Sequence, residues 1–259
     1  MTRLWPMPEA AELPTRKDEA WRYAAVEALQ GVALDDWRAI EVPAGESFRD
    51  CIVIEDRPGA REGTTLKRLR VAVGEGARCE LFAVLAAELY TRVEVEVTLG
   101  KGAHFEFGGV TVGGRDTVRE FVTRVVHAEP EATSNQVVRA VHWGQGTGNF
   151  LGRIEVARDA QKTDAAQSFK GLLLEKGASV NAVPQLEIFA DDVKCAHGAT
   201  VGQLDEHARF YMAARGLSPE AARRLLVQAF IGDAFVALDD EEEGERMMRV
   251  ALDKLDRHL

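Results

Sequence analysis

The chain has 259 residues, of which 46% are hydrophobic and 29% charged, a composition typical of a soluble globular protein with a large core. Its formal net charge of −10 argues against wrapping a nucleic acid, which requires a basic surface. No apolar run approaches the ~20 residues of a membrane span, and residues 1–21 lack the apolar stretch of a secretory signal. The three cysteines favour free thiols over a disulfide framework. We therefore expect a cytoplasmic protein that binds neither nucleic acid nor membrane.

Residues 1–48 are predicted to form a short helical segment. Thr15 and Asp18 have the spacing of a capping box, and Gly31 is a plausible helix end. Between them, apolar residues recur at helical spacing: Trp21, Ala25, Ala28 and Leu29. Trp21 and Tyr23 fit either the core or a partner contact, and large aromatic side chains favour the core.

Residues 49–203 change to the periodicity of β-strands. Short stretches rich in β-branched and aromatic residues alternate between apolar and polar: residues 51–57, 69–73, 93–99, 104–112 and 121–126. No convincing helical stretch separates them, which argues against a doubly wound α/β sheet. This zone is therefore predicted to be the β core of the protein.

A Gly-Ala step followed by an apolar residue recurs in this zone and suggests a repeat. The steps begin at Gly76, Gly102, Gly177 and Gly198, with spacings of 26, 75 and 21 residues. A unit of a little over 20 residues predicts a stacked β-solenoid, with the small residues at tight corners. A β-sandwich remains the alternative, because short strands joined by glycine turns also fit it.

Residues 204–259 are predicted to be helical. One helix runs from Asp205 to Gly216, and Ser218 followed by Pro219 marks the start of the next. Two apolar stripes follow, the first with Leu225, Leu226, Ala229, Phe230, Ala234 and Leu238, the second with Met248, Leu252, Leu255 and Leu259. The acidic run 239–243 between them is interpreted as a solvated loop. These helices could cap an open end of the solenoid or dock a partner.

The segment 184–205 (PQLEIFADDVKCAHGATVGQLD) concentrates the candidate chemistry. Cys195 and His197 are two positions apart, so both project from the same face of a strand. A closed zinc site needs four ligands, and the chain offers no further ligand motif. His104, His127 and His142 lie in different predicted strands. A buried thiol beside a hydrogen-bonded histidine is therefore favoured over a complete metal site or a Cys-His nucleophile.

Acidic and basic side chains surround this pair. Asp191 and Asp192 are interpreted as a turn whose carboxylates bond the backbone, and Lys194 completes five chemically capable side chains within seven positions. The glycine-bearing stretch 144–150 lacks the features of a phosphate loop and is interpreted as a corner or hairpin.

Segment 184–205, followed by residues 210–216 (FYMAARG), resembles the SufB/SufD family of iron–sulfur cluster assembly proteins. Further similar segments are residues 13–23 (LPTRKDEAWRY), 134–141 (SNQVVRAV), 150–156 (FLGRIEV) and 159–169 (DAQKTDAAQSF). Within the family the chain resembles the D-type members, because Gly198 stands where B-type proteins tend to have an acidic residue.

The resemblance implies a mainly β fold: a right-handed parallel β-helix in residues 49–203, after the N-terminal helical segment and before a C-terminal helical region. It also implies a non-catalytic scaffold subunit that pairs with a SufB-like subunit and binds a SufC-like ATPase. No cofactor is expected to stay bound to this chain alone, since an iron–sulfur cluster would form transiently between the subunits. A homodimer is a further expectation when the chain is alone.

The resemblance assigns His197 to the position of the D-type histidine proposed to face the B–D interface, and Cys195 to a family cysteine of less certain role. ATPase docking on the C-terminal helices would involve Leu225, Leu226 and Phe230. Ala196 stands where serine is commoner in the family, and the segment before the β zone is short. The remaining alternatives are a free-standing β-helix enzyme acting on acidic carbohydrate and an interaction module without a cluster role.

Overall fold

The structure is a computed structural model that describes residues 13–56 and 64–258. These residues form twelve strands: β1 (Arg38–Val42), β2 (Ser47–Ile54), β3 (Thr64–Val73), β4 (Arg78–Leu85), β5 (Tyr90–Leu99), β6 (His104–Gly113), β7 (Val118–His127), β8 (Thr133–His142), β9 (Thr147–Val156), β10 (Asp164–Leu173), β11 (Ser179–Ile188) and β12 (Lys194–Gly202). The α-helices are α1 (Glu206–Ala213), α2 (Pro219–Gly232) and α3 (Glu241–Asp256). Three short 3-10 helices cover Glu19–Trp21, Val26–Leu29 and Asp233–Phe235.

The strands wind into a parallel β-solenoid. Odd-numbered strands form sheet A in the order β1-β3-β5-β7-β9-β11, and even-numbered strands form sheet B in the order β2-β4-β6-β8-β10-β12. Every pairing within the two sheets is parallel, which excludes the antiparallel β-sandwich. We call each odd strand with the even strand after it a rung. The predicted solenoid is therefore confirmed, with six rungs.

Alternation along the strands fills the space between the sheets. On β5, Val93, Val95 and Val97 point inward and are completely or almost completely buried. On the sheet opposite, Phe105 and Phe107 of β6 join the same apolar core. Period-2 patterning thus places one face of every strand in the interior, as the sequence indicates.

The corners before sheet B share one backbone conformation. Two residues before β2, β4, β6, β8 and β10, the chain has a positive φ, at positions 45, 76, 102, 131 and 162. The N–H of Gly76, for example, donates to the carbonyl oxygen of Lys101 on the next rung, at 2.8 Å. These positions are 26 to 31 residues apart, so the expected repeat of a little over 20 residues is too short.

The four Gly-Ala steps do not occupy equivalent positions in the solenoid. Gly76 and Gly102 lie at matching corners, but Gly177 precedes β11 in the other sheet. Gly198 lies in the middle of β12, where a Cβ would meet no atom within 4 Å. Glycine steps therefore mark only some of the corners, because Glu131 and Lys162 also adopt the left-handed conformation.

The N-terminal segment packs against the outer face of sheet A. It forms two 3-10 helices in place of a regular α-helix, and the backbone N–H of Thr15 donates to Oδ2 of Asp18 at 2.7 Å. Trp21 is buried there, which confirms its assignment to the core. Strand pairing begins at Arg38, inside the range 1–48. Predictions on residues 1–12 lie outside the described residues, as do those on Arg57 and Leu259.

The C-terminal helices pack against the outer face of sheet B. Apolar side chains of α2 and α3 contact a stripe of apolar residues on β4, β6, β8 and β10. The capping alternative is therefore wrong for these helices, since they cover the side of the solenoid and leave β12 exposed. None of the helices in the described ranges is long and apolar enough to cross a membrane.

The predicted helix starts are confirmed, with one correction. Asp205 and Ser218 accept backbone hydrogen bonds at the N-termini of α1 and α2, and Pro219 is the first residue of α2. The acidic run 239–243 is not a loop. Asp240 caps α3, and three glutamates occupy its first turn, where the helix dipole favours negative charge.

Candidate functional site at the end of the solenoid

The last rung, formed by β11 and β12, has no strand on its outer side among the residues that the structure describes. Each strand is the final member of its sheet, so one row of backbone groups is left without a strand partner. Almost every residue of β12 is exposed, including Val201. We call this pair of strands the terminal rung. An edge of this kind is a template for pairing with another chain.

Cys195 and His197 lie side by side on the inward face of the terminal rung. Parallel register places Cys195 over Ala165 and His197 over Gln167 of β10. Cys195 is half-buried and packs with Ile154 and other interior apolar residues. His197 is exposed, because no further rung covers it. The predicted common face of the two side chains is confirmed.

The two side chains differ in environment. Burial, followed by the negative charge of Asp164, raises the pKa of the Cys195 thiol, so the protonated thiol is the stable form at neutral pH. Cys51, Cys79 and Cys195 are all free, as the sequence predicts. The favoured pair of a buried thiol and an enclosed histidine is not observed, since the thiol of Cys195 is only half-buried and His197 is exposed.

The other predicted histidines lie elsewhere. His127 and His142 are enclosed in the solenoid, where burial lowers their pKa to about 4 and about 3. His104 is on the outer face of sheet B, with Nδ1 2.7 Å from Oγ1 of Thr133. Within the described ranges, no group of three or more histidines, cysteines and carboxylates is arranged to hold a metal ion. His197 thus has no complete ligand set on this part of the chain.

The acidic pair forms the bend between β11 and β12. Its side chains do not bond the local backbone as predicted: the carboxylate of Asp192 pairs with Lys162 of the preceding rung. The backbone N–H of Asp192 donates to Oε1 of Gln161 at 2.9 Å. Lys194 points outward and is exposed. The bend therefore ties the terminal rung to the rung beneath it.

The predicted docking residues on α2 occupy two environments. Leu225 is exposed, whereas Leu226 and Phe230 are half-buried, and Phe230 packs partly against the core beneath the helix. The fully buried residues of α2 are Ala222, Val227 and Ile231. They do not include the predicted docking residues. The chain after Gly232 forms a 3-10 helix, in which Ala234 and Phe235 are buried.

Sequence reasoning missed three of the most exposed apolar side chains in this region. Phe210 and Tyr211 project from α1, which has no buried residue, and Val236 follows the 3-10 helix after α2. Their adjacency in the sequence could have indicated this exposure. Neighbouring residues of a helix point in different directions, so Phe210 and Tyr211 cannot both pack against the protein core. These three residues and Leu225 are here called the C-terminal apolar residues.

Comparison with known proteins agrees with this architecture. The family model described as "SUF system FeS cluster assembly, SufBD core domain" matches residues 52–230. The chain is 35% identical over 142 residues to the iron–sulfur cluster assembly protein SufD of Escherichia coli, which covers 55% of this chain and 34% of that protein. It is 32% identical over 164 residues to a SufBD family protein of Synechocystis, covering 63% and 36%.

A third relative is the chloroplastic protein ABCI7 of Arabidopsis thaliana, 41% identical over 109 residues, which cover 42% of this chain and 23% of that protein. The matched segments thus span about a third or less of the length of these relatives. The family model, in contrast, covers more than half of this chain, including the terminal rung. The chain belongs to the SufBD family of the SUF iron–sulfur cluster assembly system and is SufD-like.

Proposed function

We propose that this chain is a non-catalytic scaffold subunit of an iron–sulfur cluster assembly complex. It pairs with a SufB-like subunit through the terminal rung and binds a SufC-like ATPase through its C-terminal helices. The nascent cluster is the cargo of this complex and forms between the two solenoid subunits. Support comes from the family membership together with the incomplete site at His197.

The observation that carries the proposal is the position of His197 on an unpaired edge. A neutral imidazole can ligate iron, and a thiolate can bind iron or sulfur. Here one exposed imidazole and one half-buried thiol stand on the last rung, with no further ligand grouped around them in the described ranges. A second subunit seated on the same edge would supply the remaining ligands.

The terminal rung suits pairing by strand addition. Main-chain N–H and C=O groups of β12 are available over the nine residues from Lys194 to Gly202. A partner strand that bonds to them would gain affinity from the backbone and specificity from alternate side chains. Exposed apolar side chains at this end, Phe189 and Val201, would be covered in the same step.

The C-terminal apolar residues support the ATPase assignment. They are exposed although α2 and α3 already bury a full apolar face against sheet B. Leu225 lies on the side of α2 away from Val227 and Ile231. Apolar side chains presented from helices are a common means of docking a partner.

The test of the cluster role is His197→Ala in cells that depend on this complex. We expect the variant to assemble with both partners in a pull-down but to lower the maturation of a reporter iron–sulfur enzyme. His104→Ala is the matched control, because it removes a histidine from the outer face of sheet B. Normal maturation with His197→Ala would remove the ligand role.

The two proposed docking surfaces are tested by replacing one exposed apolar residue with aspartate on each of them. Leu225→Asp is expected to weaken ATPase binding and to leave pairing with the SufB-like subunit intact. Val201→Asp, on the terminal rung, is expected to do the reverse. Removal of residues 219–259 should abolish ATPase binding altogether. Retained ATPase binding by Leu225→Asp and by the shortened chain would contradict the docking assignment.

A further inference from the structure

From β4 to β12, the interior column that ends at His197 changes from apolar to polar. Parallel register stacks one residue from each of these five strands of sheet B in this order: Leu81, Phe107, Gln136, Gln167 and His197. Asp50 of β2 lies at the opposite end of the column, next to Leu81. Both glutamines are almost completely buried. Burying an amide without a full set of partners is unfavourable, so two buried glutamines stacked in the same column require a local reason.

Each of the two amides has one polar group without a hydrogen-bond partner: the NH2 group of Gln136 and the carbonyl oxygen of Gln167. Thr123 donates its hydroxyl to Oε1 of Gln136 at 2.6 Å. Nε2 of Gln167 donates to the carbonyl oxygens of Gly152 and Gln185, each at 3.3 Å. Nε2 of Gln136 and Oε1 of Gln167 are buried and have no partner. These contacts to carbonyls assign the amide orientation of Gln167, because only its NH2 group can donate to them.

The unpartnered oxygen belongs to the residue directly beneath His197. Neighbouring strands are about 4.8 Å apart, so side chains that stack in register are within reach of one another. A carbonyl oxygen accepts two hydrogen bonds, which allows Gln167 to accept from an imidazole N–H above and from Gln136 below. Thr123, Gln136, Gln167 and His197 would then be linked by hydrogen bonds, with Gln136 and His197 both donating to Oε1 of Gln167.

We propose that Gln167 is a positioning residue for His197. Its Oε1 accepts a hydrogen bond from one ring N–H and thereby fixes the tautomer and the ring orientation. The other ring nitrogen is left unprotonated and directed to the open end of the solenoid, ready to ligate a metal. Ligating histidines generally have their second nitrogen held in this way. The meaning of the tautomer for cluster assembly rests on the proposed function, whereas the hydrogen bond itself does not.

The experiment uses the full chain with 15N-labelled histidine and measures the tautomer ratio of His197 from its two ring-nitrogen shifts. The spectrum of His197→Ala identifies the His197 signals among the six histidines. Gln167→Met removes the acceptor while keeping the length of the side chain. We expect the tautomer ratio to move about fivefold towards that of an imidazole in water, the effect of one neutral hydrogen bond. Exchange of the ring N–H proton with water should become faster.

Gln136→Met is the matched control. It removes the same amide from the same column, one strand further from His197, and we expect a smaller change in the tautomer ratio. An unchanged ratio in a folded Gln167→Met variant would overturn the proposal. An equal change in both variants would also overturn it, since this would indicate a general effect on packing.

The two levels of the proposal fail in different ways. If His197→Ala supports normal maturation while Gln167→Met shifts the tautomer, the positioning contact stands and the cluster role falls. If His197→Ala impairs maturation while Gln167→Met leaves the tautomer ratio of His197 unchanged, the cluster role stands and Gln167 has no part in it.

Discussion

The two sides of the solenoid are covered in different ways. On sheet A, the N-terminal segment is held by charged and polar contacts centred on Arg92, which is completely buried. Its guanidinium donates to Glu120 and to the carbonyl oxygen of Ala20, both at 2.8 Å, and lies 3.8 Å from the ring centre of Trp21. Glu94 is a second buried carboxylate partner.

On sheet B, the C-terminal helices are held mainly by apolar packing. Phe82, Val110 and Val141 of the sheet meet Ile231 and Leu252 of the helices. The two backbones come close together at Gly108, where an added Cβ would overlap the carbonyl oxygen of Ala234. Two nearly buried cations add to this packing: Lys254 pairs with Asp56 and Glu88, and Arg139 of β8 pairs with Asp233.

Because different interactions hold the N-terminal segment and the C-terminal helices to the solenoid, different substitutions should destabilise the two interfaces. A buried ion pair depends on both members, because removal of one leaves an uncompensated charge. An apolar interface loses stability in proportion to the area removed, but it cannot accept extra volume where two backbones touch. We therefore expect deletion of one charge to be the most damaging change on sheet A and intrusion of one methyl group to be damaging on sheet B.

The largest effect is expected for Arg92→Leu. The variant leaves Glu94 and Glu120 with reduced compensation and should lower the free energy of unfolding by about 3–5 kcal/mol. Urea denaturation measures this change, and faster trypsin cleavage near Arg16 and Arg22 would show release of the segment. Arg38→Leu, which breaks an exposed pair with Asp50, should cost at most about 1 kcal/mol. Equal losses in the two variants would contradict the polar attachment.

An intermediate effect is expected for Gly108→Ala. The new methyl group must displace the backbone at Ala234, so the free energy of unfolding should fall by about 2–3 kcal/mol. Limited proteolysis should release α2 and α3 before the solenoid core. Gly198→Ala is the matched control in a strand, since its Cβ would meet nothing within 4 Å. Comparable unfolding curves for the two variants would argue against close packing at Gly108.

The smallest effect, and one that depends on pH, is expected for Lys254→Met. Lys254 is 6% exposed and donates to Asp56 at 2.7 Å and Glu88 at 2.9 Å. Burial raises the pKa of Asp56, but hydrogen bonds from Lys254 and the Glu88 backbone outweigh it and lower that pKa overall. A carboxyl group with a lowered pKa stabilises the fold when ionised, and this contribution disappears as the pH falls through the folded pKa.

The variant should therefore lose about 1–2 kcal/mol at pH 7, and its difference from the unaltered protein should shrink below about pH 4. Arg224→Met, which breaks the exposed pair between Arg224 of α2 and Asp256 of α3, should change stability by less than about 1 kcal/mol. A loss at Lys254→Met that stays constant down to pH 3 would show that apolar packing of the lysine stem, not its charge, is responsible.

Much of the fold could be predicted from local patterns. Strict alternation on β5 and β6 predicts strands with one buried face, and the Ser218-Pro219 pair predicts the start of α2. The length of the rung could not be predicted, because two corners use Glu131 and Lys162 where glycine is the usual residue. Their left-handed conformation is set by stacking between rungs, which leaves no mark in the local sequence.

The burial of charge on sheet A was equally hidden. Arg92 and Glu94 alternate with valines and therefore predict an outward, solvated face. They are buried because a segment some 70 residues earlier in the chain packs over them, with Ala20 bonded to Arg92. Patterns within one strand carry no information about such a cover.

The residues of the candidate site could also be predicted only in part from the sequence. His197 and Cys195 could be singled out because they are close in sequence, and their common face follows from a spacing of two. Gln167 could not be found in this way, since it lies 30 positions earlier and meets His197 only through the register between β10 and β12. The column becomes visible once the strands are aligned.

The bare edge of the terminal rung also bears on how the cell must supply this chain. A flat row of free backbone groups next to Phe189 and Val201 is a surface on which identical molecules can stack. Under the proposed function, molecules made in excess of the SufB-like subunit would keep that edge exposed and would tend to aggregate. The proposed pairing therefore implies that the two subunits should be synthesised in balanced amounts.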